Sequence, residues 1–291
     1  MKPKISAVVL TLNEERNLAK ALRSVQRWVD DIVVVDMNSE DNTAGVAKSF
    51  GARVFAYPRV GFVEPAREFA MCKATGEWII NLDADEIAPH ALSRRLLEVA
   101  EGNLADVCAI PRLNYFSGAP LYHSGWSPDQ DIQMRFFRNG YLEFSPSIHT
   151  LPKPVRHARV LTLKSESSHY IVHFNYLDSE HFLQKLNRYT SIEAEQARER
   201  GTKSSLGGFI IPSLKEFVVR YIIRQGFRDG WRGFYYSALM GTYRMAINAK
   251  LRELEGGCQG SSCSRRYDEI AEGYLSEYEP NKQEALCRDQ S

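Results

Sequence analysis

The sequence predicts an α/β fold: a sheet, mainly parallel but of mixed strand order, flanked by helices and followed by a C-terminal helical extension. Three observations carry this. Short apolar runs alternate with segments of helical period through the first 100 residues, the pattern of βαβ units with right-handed crossovers. The apolar run Trp78, Ile79, Ile80, Leu82 stops abruptly at two acids, Asp83 and Asp85, at the carboxyl end of a strand, where open α/β sheets bind ligands. After Phe209 the composition turns aromatic and basic, with eight Lys/Arg against two acids between residues 215 and 252.

The elements follow in order. Ile5 to Leu12 reads as a buried strand, and Leu18, Leu22 and Val25 recur at helical spacing after the polar turn Thr11-Leu12-Asn13-Glu14. A second strand, Ile32 to Val35, ends in Asp36, and Asn42 is placed to cap a helix running to Phe50. Arg53 to Tyr57 is a third strand. A helix from about Val63 to Ala74 leads into the strand at Trp78, and another spans Ala91 to Glu101. Short strands follow at Val107–Pro111, Ile132–Phe137 and Val160–Leu163. Asn175 to Arg200 reads as a helix and Gly201 to Gly208 as a linker. The expected division is 1–170 for the sheet domain, 171–255 for an amphipathic helical region and 256–291 for a polar, loosely ordered tail.

At 291 residues with 44% hydrophobic and 25% charged content, the chain has a globular composition. A net charge of +1 argues against a nucleic-acid partner. No apolar run is long enough to span a bilayer, and MKPKISAVVL lacks the layout of a signal peptide, so a cytosolic location is expected. Five cysteines at irregular spacing favour reduced thiols. Arg220, Arg224, Arg228 and Arg232 are four apart and form one stripe if their helix is continuous, among Phe217, Tyr221, Phe227, Trp231, Phe234 and Tyr235. Such a segment lies on an anionic membrane surface. The competing reading packs the aromatics onto the first domain and leaves the arginines solvated. Gly226, Gly230 and Gly233 are expected to break the segment.

Carboxylates at i and i+2 in a turn leaving a strand converge on one hard cation, and Mg²⁺ or Mn²⁺ bound to a nucleotide diphosphate is the natural candidate. A D-x-D sequence alone serves as well for a solvated turn. Its neighbours decide.

ISAVVLTLNEERNLAKAL, IVVVDMNSEDNTAGVA and ATGEWIINLDADE, in this order and spacing, resemble the family 2 glycosyltransferases, nucleotide-sugar-dependent enzymes of the GT-A fold. GWSPDQDIQMRFFR, LQKLNRYT and RQGFRDGWRGFYYS resemble the branch that includes lipopolysaccharide core glucosyltransferases. The resemblance covers roughly residues 4 to 255. It implies an inverting transfer of a hexose, glucose foremost, from a UDP-sugar with Mg²⁺ or Mn²⁺ to a lipid-linked or lipopolysaccharide-type acceptor, by a protein peripheral on the inner face of the cytoplasmic membrane. Thr11, Asn13 and Glu14 then border the nucleotide, Asp36 accepts a hydrogen bond from the uracil, and Ser39 and Asp41 adjoin it. Arg67 lies near the diphosphate. Asp85 ligates the metal, while Asp83 reaches the ribose or the metal.

Many members of the family place the catalytic base in a Glu-Asp pair six residues before an arginine. Asp129 stands six before Arg135, preceded by Pro128 where the family has Glu, and Asp131 is the alternative. Trp126 is placed to stack on a sugar face. His149 falls where the branch has a His-Glu pair, the Glu being Thr150 here, and is a candidate for the diphosphate or a third metal ligand; His173 has similar standing. Two other readings remain: a polyprenyl-phosphate glycosyltransferase, and a non-catalytic nucleotide-sugar-binding protein docked on membranes. TLNEERN lacks the glycine-rich phosphate loop of a nucleotidyltransferase.

Overall fold

The computed structural model describes residues 2–59, 64–144, 151–257 and 260–276. Along the chain run β1 (Ile5–Thr11), α1 (Glu15–Val25), β2 (Asp31–Asp36), α2 (Thr43–Ser49), β3 (Arg53–Ala56), α3 (Glu64–Met71) and β4 (Trp78–Asp83). There follow β5 (Glu86–Ile87), α4 (His90–Glu101), β6 (Val107–Phe116), β7 (Ala119–Pro120), β8 (Ile132–Arg138), β9 (Leu142–Glu143), β10 (Lys153–Pro154), β11 (Val160–Thr162) and β12 (Ile171–Tyr176). The C-terminal part is helical: α5 (Ser179–Glu199), α6 (Leu206–Val218), α7 (Gly230–Glu255) and α8 (Gly260–Leu275).

The strand order is β3-β2-β1-β4-β8-β6-β12-β5, with β7 and β11 also paired to β6. The first four strands are parallel, β8 runs antiparallel between β4 and β6, and β12 is parallel to β6. This is the expected mainly parallel sheet of mixed order. The path from β4 ends at β5, which β4 reaches through only Ala84 and Asp85. The sheet therefore curls until its far edge meets the turn that leaves β4.

Both faces of the parallel part are covered, which is why its strands read as unbroken apolar runs. Ile5, Ala7 and Val9 of β1 point to one side, with Leu18 and Leu22 of α1 and Leu92 and Leu96 of α4; Val8 and Leu10 point to the other, with Ala66 and Ala70 of α3. Each fully buried Leu or Val is worth roughly 1.5–3 kcal/mol in transfer free energy. Trp78 stacks on Phe136 at 4.7 Å between ring centroids.

The amino ends of these strands are tied by Asp31. Its carboxylate accepts hydrogen bonds from Ser6 Oγ at 2.8 Å, Thr75 Oγ1 at 2.9 Å and Arg53 at 2.7 Å. Ser6 Oγ in turn accepts the N–H of Gly76 at 2.8 Å. A Cβ on Gly76 would stand 2.6 Å from Ser6 N, so only glycine permits this approach.

Four sequence expectations change. β6 continues five residues past Pro111, because Arg112 and Asn114 send polar side chains into a buried ion network and so disguise the strand. Residues 171–176 form β12, so the helix expected from Asn175 starts at Ser179. The arginine row is not one stripe: π-type helix at Val219–Ile223 and a left-handed Gln225 are followed by a 3₁₀ turn at Gly226–Asp229, while Gly233 lies inside α7. Residues 260–275, expected to be loosely ordered, form α8, with Cys263, Tyr267, Ile270 and Tyr274 at helical spacing.

The chain divides into two compact units, residues 1–183 with 217–238 and residues 184–216 with 239–291. In the second, Lys250 of α7 donates to Asn187 Oδ1, Thr190 Oγ1 and Ser191 Oγ of α5 at 2.7 to 2.8 Å, and burial holds its pKa down. Cys72 and Cys108 are free thiols; burial pushes the Cys108 thiol up to about 12.

Burial raises the Asp31 pKa, but the bonds from Arg53, Ser6 and Thr75 outweigh it and bring it to about 2. An unfolded aspartate titrates near 3.9. The stabilisation from Asp31 is therefore whole above pH ~4 and lost as pH falls through about 2. With allowance for solvent screening at Arg53, Asp31→Asn is expected to lower the unfolding free energy by about 1–2 kcal/mol at pH 7. Urea unfolding should show this gap closing toward pH ~2.

Candidate active site

The parallel register brings three of the predicted residues side by side. Thr11 pairs with Asp36 across β1 and β2, and Leu10 pairs with Asp83 across β1 and β4, so Thr11, Asp36 and Asp83 end their strands together. Asp36 Oδ1 accepts hydrogen bonds from Thr11 Oγ1 at 3.2 Å and Ser39 Oγ at 2.5 Å, and Oδ2 accepts the Ser39 N–H at 3.1 Å.

The loops after β1 and β2 are sewn to each other. Asn13, at φ 57°, donates its N–H to Ser39 Oγ at 2.8 Å and accepts the Glu40 N–H on Oδ1 at 2.8 Å; asparagine is among the few residues that take this left-handed conformation readily. The Glu14 N–H donates to Thr43 Oγ1 at 2.8 Å. Asp41 accepts the N–H groups of Glu15 and Thr43, each at 3.0 Å. Asn42 stands at the N-cap of α2 as expected but makes no side-chain capping bond; the Thr43 N–H is taken by Asp41. Burial raises the Asp41 pKa, but the Thr43 and Glu15 bonds together leave it below the usual carboxylate value.

A buried ion network underlies the acidic turn. Glu86 is fully buried and meets Arg112 at 3.0 Å, Arg135 at 3.1 Å and the Asp83 N–H at 2.9 Å. Arg135 also binds Asp83 at 2.5 Å, and Arg67 reaches Asp83 at 3.5 Å. Burial disfavours the ionised Asp83 carboxyl, but Arg135 first, then Arg67 and Arg112, hold it far below the ordinary carboxylate range.

The two aspartates considered for the base have different surroundings. Asp131 is buried, with Oδ2 taking Arg112 Nε at 2.8 Å and Asn114 Nδ2 at 2.7 Å, and Oδ1 taking Gln133 Nε2 at 2.8 Å. Burial raises its pKa and Arg112 with these bonds brings it below normal. Asp129 is exposed and accepts one hydrogen bond, from Ser165 Oγ at 2.8 Å. The Trp126 ring lies 4.8 Å from Phe116, with the Arg220 guanidinium 4.3 Å from its centroid. His149 lies outside the described residues.

β12 brings His173 to Asp85. The Asn114 amide nitrogen donates to Asp131 and to the Trp126 carbonyl, so its Oδ1 is the acceptor for His173 Nδ1–H at 2.7 Å. In the neutral imidazole this assignment leaves the Nε2 lone pair directed toward Asp85 Oδ2, 3.5 Å away. Among the described residues no three His, Cys, Asp or Glu side chains converge on a metal position. One carboxylate and one imidazole nonetheless fit a cation that takes its remaining ligands from substrate phosphates.

Glu86, Arg112 and Asn114 are site residues that pattern reading passed over. Arg112 and Asn114 show in the sequence only as polar residues at i and i+2 in VCAIPRLNYF, which resembles the end of a strand, and Glu86 only as a third acid after Asp83 and Asp85.

The parallel strands of this curled α/β sheet end in Thr11, Asp36 and Asp83, at the carboxyl edge where sheets of this class bind their ligands. Residues 6–161, more than half of the chain, match the family described as Glycosyl transferase family 2, and the chain belongs to that family. It is 29% identical over 265 residues to a Rickettsia felis uncharacterized glycosyltransferase, covering 86% of this chain and 90% of the other. It is 27% identical over 267 residues to the Rhizobium meliloti lipopolysaccharide core biosynthesis glycosyltransferase LpsC, covering 86% and 93%. Among solved structures it is similar to S. aureus TarS 1–349 in complex with UDP, at 16% identity and a TM-score of 0.47 over 88% of this chain and 92% of that one.

Arg135→Met leaves Glu86 with one guanidinium and Asp83 short of its nearest cation. Breaking a buried pair in this way costs about 3–5 kcal/mol, so the variant should lose that much in denaturant unfolding at pH 7.

Proposed function

We propose that the protein is an inverting, metal-dependent hexosyltransferase that moves a hexose, glucose foremost, from a UDP-sugar to a lipid-linked or lipopolysaccharide-type acceptor at the cytosolic face of a membrane. The observation that carries this is the Asp85–His173 pair, one carboxylate and one imidazole facing each other at 3.5 Å, beside the strand ends that Asp36 bonds to Thr11 and Ser39. The LpsC relative supports the acceptor class.

In this reading Asp36, steadied by Thr11 and Ser39, accepts a hydrogen bond from the uracil. Asn13, Glu14 and Asp41 hold the two loops against the nucleotide, and Arg67 faces the diphosphate. Asp85 and His173 are the residues that would hold Mg²⁺ or Mn²⁺, which when bound offsets charge on the departing UDP. Asp83 is already committed to Arg135 and serves to place the turn. Asp129 takes the proton from the acceptor hydroxyl as its oxygen attacks the anomeric carbon from the face opposite the leaving diphosphate, so the configuration inverts and UDP departs. Asp131, with both oxygens engaged, orients Arg112 and Asn114.

Among the described residues no helix is long and apolar enough to cross a membrane. Association is instead assigned to residues 217–234, where Ile222, Ile223, Phe227, Trp231 and Phe234 are each more than half exposed among arginines.

The test is a thermal-shift panel of UDP-glucose, UDP-galactose, UDP-N-acetylglucosamine and GDP-mannose, with and without Mn²⁺. A hundredfold excess over the dissociation constant stabilises the native state by about 2.7 kcal/mol. The expected result is a Mn²⁺-dependent shift with a UDP-hexose; absence of any shift across the panel overturns the reading. Asp85→Asn and His173→Gln should each erase the Mn²⁺ dependence while melting normally without ligand. Asp129→Asn should keep the donor-induced shift and lose transfer by about 10²–10⁴-fold; unimpaired transfer removes Asp129 as the base.

A further inference from the structure

The broken helix at residues 219–232 has two sides, and they face different things. Its inner side grips the loop that leads to Asp129. Asp229 accepts the N–H groups of Tyr122 at 3.1 Å and His123 at 3.0 Å, and the Ser124 hydroxyl at 3.2 Å. The Arg224 carbonyl accepts the Ser124 N–H at 3.0 Å, and Arg220 Nη1 donates to the Ser124 carbonyl at 2.8 Å while its guanidinium covers Trp126. Arg232 Nη2 donates to the Ser117 carbonyl at 3.1 Å. A Cβ on Gly226 would stand 2.6 Å from Ser124 Oγ, so the turn and the loop are in backbone-close contact.

The last hydrogen bond of the grip is at Ser124, five residues before Asp129. From there the chain makes a short turn in which the N–H groups of Gln130 and Asp131 both bond the Ser127 carbonyl at 2.9 Å. Asp131 is then held by Arg112 and Asn114. Asp129 thus sits on a short span fixed at one end by the ion network and at the other by residues 220–232.

The outer side is apolar and cationic. Phe217, Tyr221, Phe227 and Phe234 form one aromatic cluster, with centroid separations of 5.3 to 6.3 Å. Phe227 and Phe234 are more than half exposed, as are Ile222, Ile223 and Trp231. The acid within this stretch, Asp229, has its carboxylate turned inward onto the loop, whereas Arg228 is exposed. An apolar face with aromatics and an exposed arginine, its acid turned away, complements an anionic bilayer.

We propose that residues 219–232 are a clamp that couples bilayer binding to the acceptor loop: insertion of the Ile222, Ile223, Phe227, Trp231 and Phe234 face into anionic lipid stabilises loop 117–131, with Asp229 and Arg220 as positioning residues that transmit the effect. This rests on the membrane assignment of the preceding subsection. The physical basis is linkage. A bilayer that binds only the ordered clamp lowers the free energy of every group whose order depends on it, and the loop makes six hydrogen bonds to that clamp. An acceptor embedded in the bilayer then meets a base already in place.

Hydrogen–deuterium exchange of the full chain tests this, with vesicles of phosphatidylglycerol and phosphatidylethanolamine, with phosphatidylcholine vesicles as control, and without lipid. The anionic vesicles should slow exchange in 217–234 and also, by about tenfold, a usual size for coupled sites, in the amides of Tyr122, His123 and Ser124. Asp229→Ala should still co-sediment with the vesicles and protect 217–234 but lose the lipid-dependent protection of 117–131. Arg220→Gln should reduce it, and Asp229→Glu should restore part of it. A clamp with a merely structural role would raise exchange in the variants and keep the lipid-dependent increment, which overturns the proposal. Protection confined to 217–234 in the wild type also overturns it while leaving the membrane assignment intact. No vesicle binding at all removes both. Protection that grows with protein concentration without lipid assigns the face to a second copy of the chain and overturns the proposal as well.

Discussion

The structure turns on one buried carboxylate. Glu86 lies at the point where the curled sheet returns to the turn leaving β4, and it is wholly excluded from water. An ionised group there costs several kcal/mol unless it is paired and hydrogen-bonded. Arg112 from β6, Arg135 from β8 and the Asp83 N–H from β4 supply the partners. Three strands are thereby fixed at one place, and the acidic turn Ala84–Asp85 is fixed with them. The same two arginines reach outward to Asp83 and Asp131, so the closure of the sheet and the layout of the site are one network.

That network separates the acids of the site by environment. Asp83 and Asp131 face guanidinium groups and are held as carboxylates below their ordinary range. Asp85 stands at the edge, against the imidazole of His173, and Asp129 lies outside on an exposed turn. A cluster of like charges is tolerable because arginines divide it, and arginine suits this role since its planar fork reaches two carboxylates at once. In the proposed function Asp85 meets the cation and Asp129 the acceptor hydroxyl.

Much of the first hundred residues was legible in the sequence. β1, β2 and β4 are covered on both faces and so appear as unbroken apolar runs, and their ends are marked by Thr11, Asp36 and Asp83. Beyond residue 107 the same reading falters. β6 hides its second half behind Arg112 and Asn114, whose polar side chains point into the protein. β12 alternates as IVHFNY and merges into the helix that follows. The arginine row from 220 to 232 has the spacing of one helical stripe, yet Arg220 and Arg232 turn inward to the loop carbonyls of Ser124 and Ser117, because the helix breaks between them.

The sequence by itself determined the α/β class, the order of the first four strands' elements and the acidic turn at Asp83 and Asp85. Those features depend on local period and on the abrupt end of apolar runs, which neighbouring residues encode. Only the tertiary structure decided that Asp131 is spent on Arg112 and Asn114, that His173 faces Asp85, and that Asp229 fastens the loop leading to Asp129. Each of these joins residues 17 or more positions apart through an ion pair or a few hydrogen bonds, and such pairings leave no period in the chain.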